Sequence, residues 1–232
     1  SKAKVVYRAH NIEHEIWSRT AVMAKGLEKW YLKILSNRIK QFELQLLNNY
    51  DLLVPITERD GALLDKLGNI KPRHVSQTGI DSSVLVPNSK NLVHPTLFHI
   101  GSLEWAPNQE GLLWFLEECW PAIHKKYPNL QFFIAGRNAP DWFQKKMNLP
   151  NVVFLGEIQD AYDFINSKSI MVVPLHSGSG MRIKIIEGMA LGKPIVTTAI
   201  GTEGISTTSG HNIIVAEDAK GFVDSISELI EN

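Results

Sequence analysis

From Thr96 onward, short apolar runs alternate with amphipathic stretches so regularly that few folds can hold them. The apolar runs are Thr96–Ile100, Leu130–Ala135, Asn151–Leu155, Ser169–Leu175, Pro194–Thr198 and Asn212–Val215. Between them lie helical patterns over Asn108–Lys126, Ala139–Met147, Gln159–Lys168 and Met181–Leu191, and Glu217–Ile230 closes the series. Strands this apolar are buried on both faces, and a helix after each one carries the chain back to the same end. The pattern predicts an α/β fold with a doubly wound, Rossmann-like parallel sheet. In such sheets ligands bind beyond the carboxyl ends of the strands, so the residues that follow each strand are where chemistry is sought.

The fourth of these runs leads through His176 into Ser177-Gly-Ser-Gly180, a glycine-rich turn that opens the helix ending at Leu191-Gly192 before Pro194. Free N–H groups and the positive end of a helix dipole meet at such a turn and make an anion site. Arg182 and Lys184 are expected within the first helical turn, where a cation is locally unfavourable unless a negative ligand sits nearby. A diphosphate is the natural candidate. Glu187 lies seven residues after Gly180, about two turns, on the face of Lys184. Its carboxylate could accept from adjacent ribose hydroxyls. The competing readings are a plain connecting loop and a Glu187–Lys184 ion pair.

Glycine also follows other strands, as Gly101-Ser102, Gly136-Arg137-Asn138 and Gly156-Glu157-Ile158. A missing side chain there lets a ligand approach the backbone. Arg137 reads equally as an anion contact or a solvated loop residue. Ile200-Gly-Thr-Glu-Gly204 is a further loop at the same edge.

Ahead of this series, Val5–Ala9 reads as a strand ending at His10-Asn-Ile-Glu-His14. Leu27 to Tyr50 reads as a long amphipathic helix whose stripe of Leu27, Trp30, Tyr31, Ile34, Leu35, Ile39, Phe42, Leu46 and Leu47 is expected in a core. Asp51–Ile56 is a strand, Thr57 a cap, and Glu58–Leu67 a helix closed by Gly68. Asp81 to Pro95, polar and proline-bearing, is expected as a linker, dividing the chain into domains over 1–80 and 96–232. His10 and His14 without a third ligand make no metal site.

Composition narrows the classes. Twenty-four Lys and Arg balance 24 Asp and Glu, which argues against a nucleic-acid binder working through a general basic surface. The lone cysteine, Cys119, excludes an internal disulfide framework, fits a reducing compartment and reads as a helix core position. No apolar run reaches the about 18 residues of a membrane span. Ser1-Lys-Ala-Lys-Val-Val is not a signal peptide and enters a strand directly, as expected of a fragment of a longer protein.

Residues 177–198, Ser-Gly-Ser-Gly-Met-Arg-Ile-Lys-Ile-Ile-Glu-Gly-Met-Ala-Leu-Gly-Lys-Pro-Ile-Val-Thr-Thr, resemble the nucleotide-sugar motif of retaining GT-B glycosyltransferases of the family 4, group 1 type. That resemblance implies the C-terminal, nucleotide-sugar-binding domain over 96–232, to near its end, and the C-terminal part of the acceptor-side domain over 1–80. It maps the ribose-binding Glu to Glu187. The family's sugar-facing Glu falls on Ser179, a departure that leaves the donor sugar open. Ser102 replaces a phosphate-binding Arg, and Gln77-Thr-Gly-Ile-Asp81 departs from the family's Asn-Gly-Val-Asp at its first residue.

The resemblance assigns His10, Arg182 and Lys184 to the reacting groups, with Glu13 and His14 as pocket neighbours of His10. Gly101, Gly136, Arg137, Ile158, Ser179, Gly180, Met181 and Glu187 would hold the donor nucleotide, and Thr202 or Glu203 would reach the donor sugar. It implies transfer of a sugar from a UDP- or GDP-linked donor to a hydroxyl of a glycan or lipid-linked acceptor, with retention and without a cofactor or metal. A cytoplasmic setting follows, with room for peripheral association at the inner membrane face and a place in polysaccharide biosynthesis. Two other classes remain open at this point: a nucleotide-sugar epimerase, for which Glu13, Glu157 and Glu203 are the available carboxylates, and a nucleotide-binding module without chemistry.

Overall fold

The computed structural model describes residues 3–231, apart from the side chain of Met23, so Ser1, Lys2 and Asn232 lie outside the described residues. The chain divides into two compact units. The first runs to Gly79 and also takes in Ser177–Arg182 and Glu203–Ile205; the second is formed by the remainder.

In the first unit the elements are β1 (Val6–Ala9), α1 (Glu13–Met23), α2 (Gly26–Leu46), β2 (Leu52–Pro55) and α3 (Glu58–Lys66). β1 and β2 pair in parallel, from Val6 opposite Leu52 to Ala9 opposite Pro55. The stretch after α3 runs along the other edge of β2, with His74 N donating to Leu53 O at 2.9 Å and Ser76 N to Pro55 O at 3.0 Å. Ala9, Ile12, Tyr50, Leu53 and Leu64 form the core of this unit. Thr57 caps α3 as expected, its hydroxyl accepting from Asp60 N at 2.9 Å, which satisfies one of the unpaired N–H groups of the first turn.

Two features differ from the sequence expectation. α1 was not anticipated, because its residues carry no strong apolar period; it packs against α2. The stripe on α2 expected in a core is largely exposed, with Leu27 at 86%, Trp30 at 65% and Phe42 at 61% of full exposure. α2 buries Leu32 and Ser36 instead. Helical spacing determines which residues share a face, but what covers that face depends on tertiary packing.

The second unit contains β3 (Leu97–Ile100), α4 (Ala106–Trp114), α5 (Trp120–Lys126), β4 (Phe132–Ala135), α6 (Asp141–Lys146), β5 (Val152–Gly156), α7 (Ala161–Ser167), β6 (Ile170–Val173), α8 (Ile183–Ala190), β7 (Ile195–Thr197), α9 (Ala199–Thr202), β8 (Ile214–Val215) and α10 (Ala219–Glu231). A π-helical turn, Phe115–Cys119, joins α4 to α5. Among the described residues the strands form one six-stranded sheet in the order β5-β4-β3-β6-β7-β8, every pair parallel. This is the doubly wound α/β arrangement that the alternation predicts, and its strand order reverses between β3 and β6. α9, a single turn, falls in the stretch read as loop.

Phe115, Phe132, Phe143, Phe222, Leu97, Leu112 and Val172 are buried in the core of this unit, with Cys119 among them. Burial pushes the Cys119 thiol up to about 12, so it stays protonated and packs as a small apolar group. The stretch expected as a linker is held to this unit, with Asn88 N donating to Asn166 Oδ1 at 3.0 Å and Val93 N to Ser167 O at 3.0 Å. Among the described residues no helix is long and apolar enough to cross a membrane.

Candidate functional site

Within the first unit the glycine-rich turn is held by residues from the end of β1 and from α1. Ile12 N donates to Ser179 Oγ at 2.9 Å. Asn11, with its amide oriented to satisfy both atoms, donates to His10 O at 2.8 Å and Ser179 O at 3.1 Å. Arg19 Nη1 donates to Gly178 O at 2.7 Å. Gly180 has φ 74°, and a Cβ there would stand 2.4 Å from His10 O, so both its conformation and its surroundings require glycine.

Arg182 is 4% exposed and, contrary to expectation, lies just ahead of α8 rather than inside its first turn. Its Nη1 donates to Gly180 O, while Nε and Nη2 are buried without a hydrogen-bond partner. Burial lowers its pKa to about 10, with Glu203 opposing the shift and Arg19 adding to it. Of the acidic neighbours, Glu203 is engaged elsewhere, while Asp60 keeps one buried oxygen, Oδ2, without a hydrogen-bond partner. Glu203 takes two 2.7 Å hydrogen bonds from Arg19. Glu15 takes contacts of 2.5 and 2.6 Å from Arg59, which also reaches Asp60 Oδ1 at 2.9 Å. The result is a buried guanidinium with two donors aimed at no protein acceptor, a strong incentive to take up an anion.

The other expected residues of this unit separate. His10 is exposed at the carboxyl end of β1, where strand-end chemistry was sought. Glu13 and His14, expected as its pocket neighbours, open α1. Their N–H groups, at 2.9 and 3.2 Å, and His14 Nδ1, at 2.5 Å, all converge on Glu43. That carboxylate caps the helix from α2. Ser179 is committed through its oxygen to Ile12, a role for the turn itself that the sequence did not indicate.

Within the second unit, Gly101, Gly136, Arg137 and Ile158 follow the carboxyl ends of β3, β4 and β5, on one edge of the sheet. The glycines serve the protein more closely than expected. A Cβ on Gly101 would stand 2.5 Å from Lys184 Nζ, and one on Gly136 would stand 1.9 Å from Gly101 O. Arg137 is exposed; Met181, in the first unit, and Ile158 are half-buried. Lys184, on α8, donates to Asn108 Oδ1 at 2.8 Å and lies 3.3 Å from His99 Nε2. Glu187, one turn further, is half-buried and accepts from Tyr162 Oη at 3.4 Å. Desolvation raises its pKa, opposed by that hydrogen bond. Thr202 donates to Ala199 O at 3.0 Å within α9.

His99, Asn108 and Tyr162 were missed from the sequence. His99 and Asn108 read as a strand residue and a helix-opening residue, and only the sheet order brings them to Lys184. Among the described residues no group of three or more His, Cys, Asp or Glu side chains is arranged to hold a metal ion.

A six-stranded parallel sheet in this order, with a lysine and a carboxylate on the helix at its reversal point, defines a Rossmann-like domain of the kind found in GT-B glycosyltransferases. The chain belongs to the family described as glycosyl transferases group 1, which it matches over residues 94–232. It is 27% identical over 145 residues to an uncharacterized 44.6 kDa protein in the cps region of Klebsiella pneumoniae, covering 57% of this chain and 36% of that relative. Its fold is similar to that of a sucrose-phosphate synthase from Thermosynechococcus elongatus, with TM-score 0.74 and 16% identity over 98% of this chain and 58% of that one. It is similar in fold also to Anabaena HepE in complex with UDP and glucose, with TM-score 0.74 and 15% identity over 100% of this chain and 63% of that one. The chain therefore spans about a third of the curated relative and about three-fifths of these two solved structures.

Proposed function

We propose that this chain is the nucleotide-sugar-binding part of a retaining glycosyltransferase that transfers a hexosyl group from a UDP- or GDP-linked donor to a hydroxyl of a glycan or lipid-linked acceptor. The observation that carries the reading is Arg182, whose buried Nε and Nη2 have no partner. A diphosphate supplies the missing acceptors and the missing charge. As the bond to the sugar breaks, negative charge builds on the leaving phosphate, and Arg182 and Lys184 stabilise it more strongly than the ground state. Glu187 accepts from the ribose hydroxyls, with Tyr162 orienting one of its oxygens.

His10, exposed at the end of β1, serves the sugar, and Gly101, Gly136, Arg137, Ile158, Ser179, Gly180 and Met181 shape the nucleotide's surroundings through backbone and turn. Glu203 and Thr202 are the remaining candidates for the sugar, although Arg19 already occupies both Glu203 oxygens. One relative in a cps region and a structural neighbour in complex with UDP and glucose support a sugar nucleotide as donor and polysaccharide assembly as setting, at a cytoplasmic site that leaves room for contact with a membrane face.

Calorimetric titration with UDP, GDP and ADP, with and without magnesium, tests this. Metal-independent binding of UDP or GDP, lost in Arg182→Ala and in Glu187→Ala, is the expected result. Binding that survives both substitutions would remove them from the site.

A further inference from the structure

His99 has no role in the reading above, yet it is fully buried in β3, beside β6, at the reversal of strand order. Its Nδ1 lies 2.8 Å from Val172 O. A carbonyl only accepts, so Nδ1 carries the ring proton and Nε2 presents a lone pair. That lone pair is 3.3 Å from the Lys184 ammonium, which can only donate. A second acceptor, Asn108 Oδ1, lies 2.8 Å from the same nitrogen. The Asn108 amide cannot turn over without loss, because its Nδ2 donates to Ser102 O at 2.8 Å. Gly101 completes the seat, since a side chain there would fall 2.5 Å from Nζ.

We propose that His99 and Asn108 are positioning residues that seat the Lys184 ammonium for a diphosphate, each through an acceptor atom aimed at its Nζ. A lysine immobilised only by its ligand loses rotamer entropy on binding, and a seated one has lost it before the ligand arrives. Burial, with Lys184 beside it, keeps His99 well below the usual histidine range, so the acceptor form persists. The inference rests on the proposed role of Lys184 at the diphosphate.

Two measurements on the whole chain test it. The first is nitrogen-15 NMR of the histidines without nucleotide. His99 is expected in the Nδ1–H form without titrating between about pH 5.5 and 8, and its Nε2 resonance should move in Lys184→Met. An Nε2–H tautomer, or a resonance indifferent to Lys184, overturns the proposal. The second is calorimetry, in which His99→Phe or Asn108→Leu should weaken UDP binding roughly tenfold. Uridine binding should be unchanged, and neither substitution should add to the loss already present in Lys184→Met. A loss that persists undiminished in that background is a structural effect and overturns the proposal. If the unaltered chain binds no nucleotide, the proposed function fails, and the NMR result alone decides whether Lys184 is seated this way.

Discussion

Arg19 grips Glu203 through both guanidinium ends, with two contacts of 2.7 Å, and the same Nη1 donates to Gly178 O in the glycine-rich turn. One side chain on α1 thus ties a turn and a loop far apart in sequence. It also occupies the carboxylate that would otherwise be the natural partner of Arg182. Asp60, the other acidic neighbour of Arg182, gives Oδ1 to Arg59 at 2.9 Å and leaves Oδ2 buried without a partner.

Arg19→Ala should therefore destabilise the chain by about 1–3 kcal/mol, the cost of leaving half-buried acceptors without a donor. Arg19→Lys should recover little, because an ammonium cannot reproduce a two-pronged contact. Urea titration of the three proteins gives the answer. Equal stability of Arg19→Ala and the parent would show that the pair contributes nothing.

Arg182→Met should behave in the opposite way. Removing a buried cation that lacks its full set of partners leaves the ligand-free protein as stable as before, or more stable by about 1–3 kcal/mol. Affinity for UDP should fall at least tenfold. Denaturation and calorimetry on one preparation give both numbers. A marked loss of stability would mean that the guanidinium is already satisfied by its surroundings.

Gly101→Ala should separate folding from binding. The added Cβ meets the far end of the Lys184 side chain at 2.5 Å and Asn108 Nδ2 at 3.0 Å. The lysine can move away, so the cost in stability should stay near 1 kcal/mol. The ammonium leaves its seat, and UDP binding should weaken roughly tenfold while uridine binding is kept. Isothermal calorimetry with the two ligands distinguishes this from general damage.

Acidification should destabilise the chain through its buried imidazoles. Burial holds His176 below its ordinary value of 6.5, with Glu217 opposing the shift, and its ring packs edge-on against Trp114. His99 is lowered in the same direction by burial and by Lys184. Below the ordinary value the unfolded chain takes up protons that the folded chain refuses, so stability is present above it and falls as pH falls. The urea midpoint should drop between about pH 7 and 5.5, and His176→Gln should flatten the drop. An unchanged slope in that variant would exclude His176 from the effect.

Much of the second unit was legible in its sequence. Six apolar runs of four to seven residues between helical patterns leave little besides a parallel sheet with helices on both faces, and each run overlaps a strand of the observed sheet. The glycine turn before α8 and the placement of Glu187 on that helix were legible as well, because both depend on neighbours in sequence. α1 was not, since its apolar period is weak, and α2 misled, since its aromatic stripe stands exposed. The helix starts later than its pattern suggests: Arg182 belongs to the turn, whose backbone is held by Asn11 and Arg19 and whose Ser179 hydroxyl is held by Ile12 N.

The sequence alone determined the strand–helix alternation, the glycines that permit a positive φ, and the residue types available for binding an anion. These follow from local sterics and from burial patterns that repeat over a few residues. Only the tertiary structure decided which polar groups were already satisfied. Asn108 and His99 meet Lys184 across separations of 76 and 85 residues, and Arg19 meets Glu203 across 184. A hydrogen bond closes over about 3 Å with defined direction, and no local pattern encodes which distant partners will come that near. Lys184 meets His99 and Asn108, Glu203 is occupied and Arg182 keeps two unmatched donors because of where the folded chain places them.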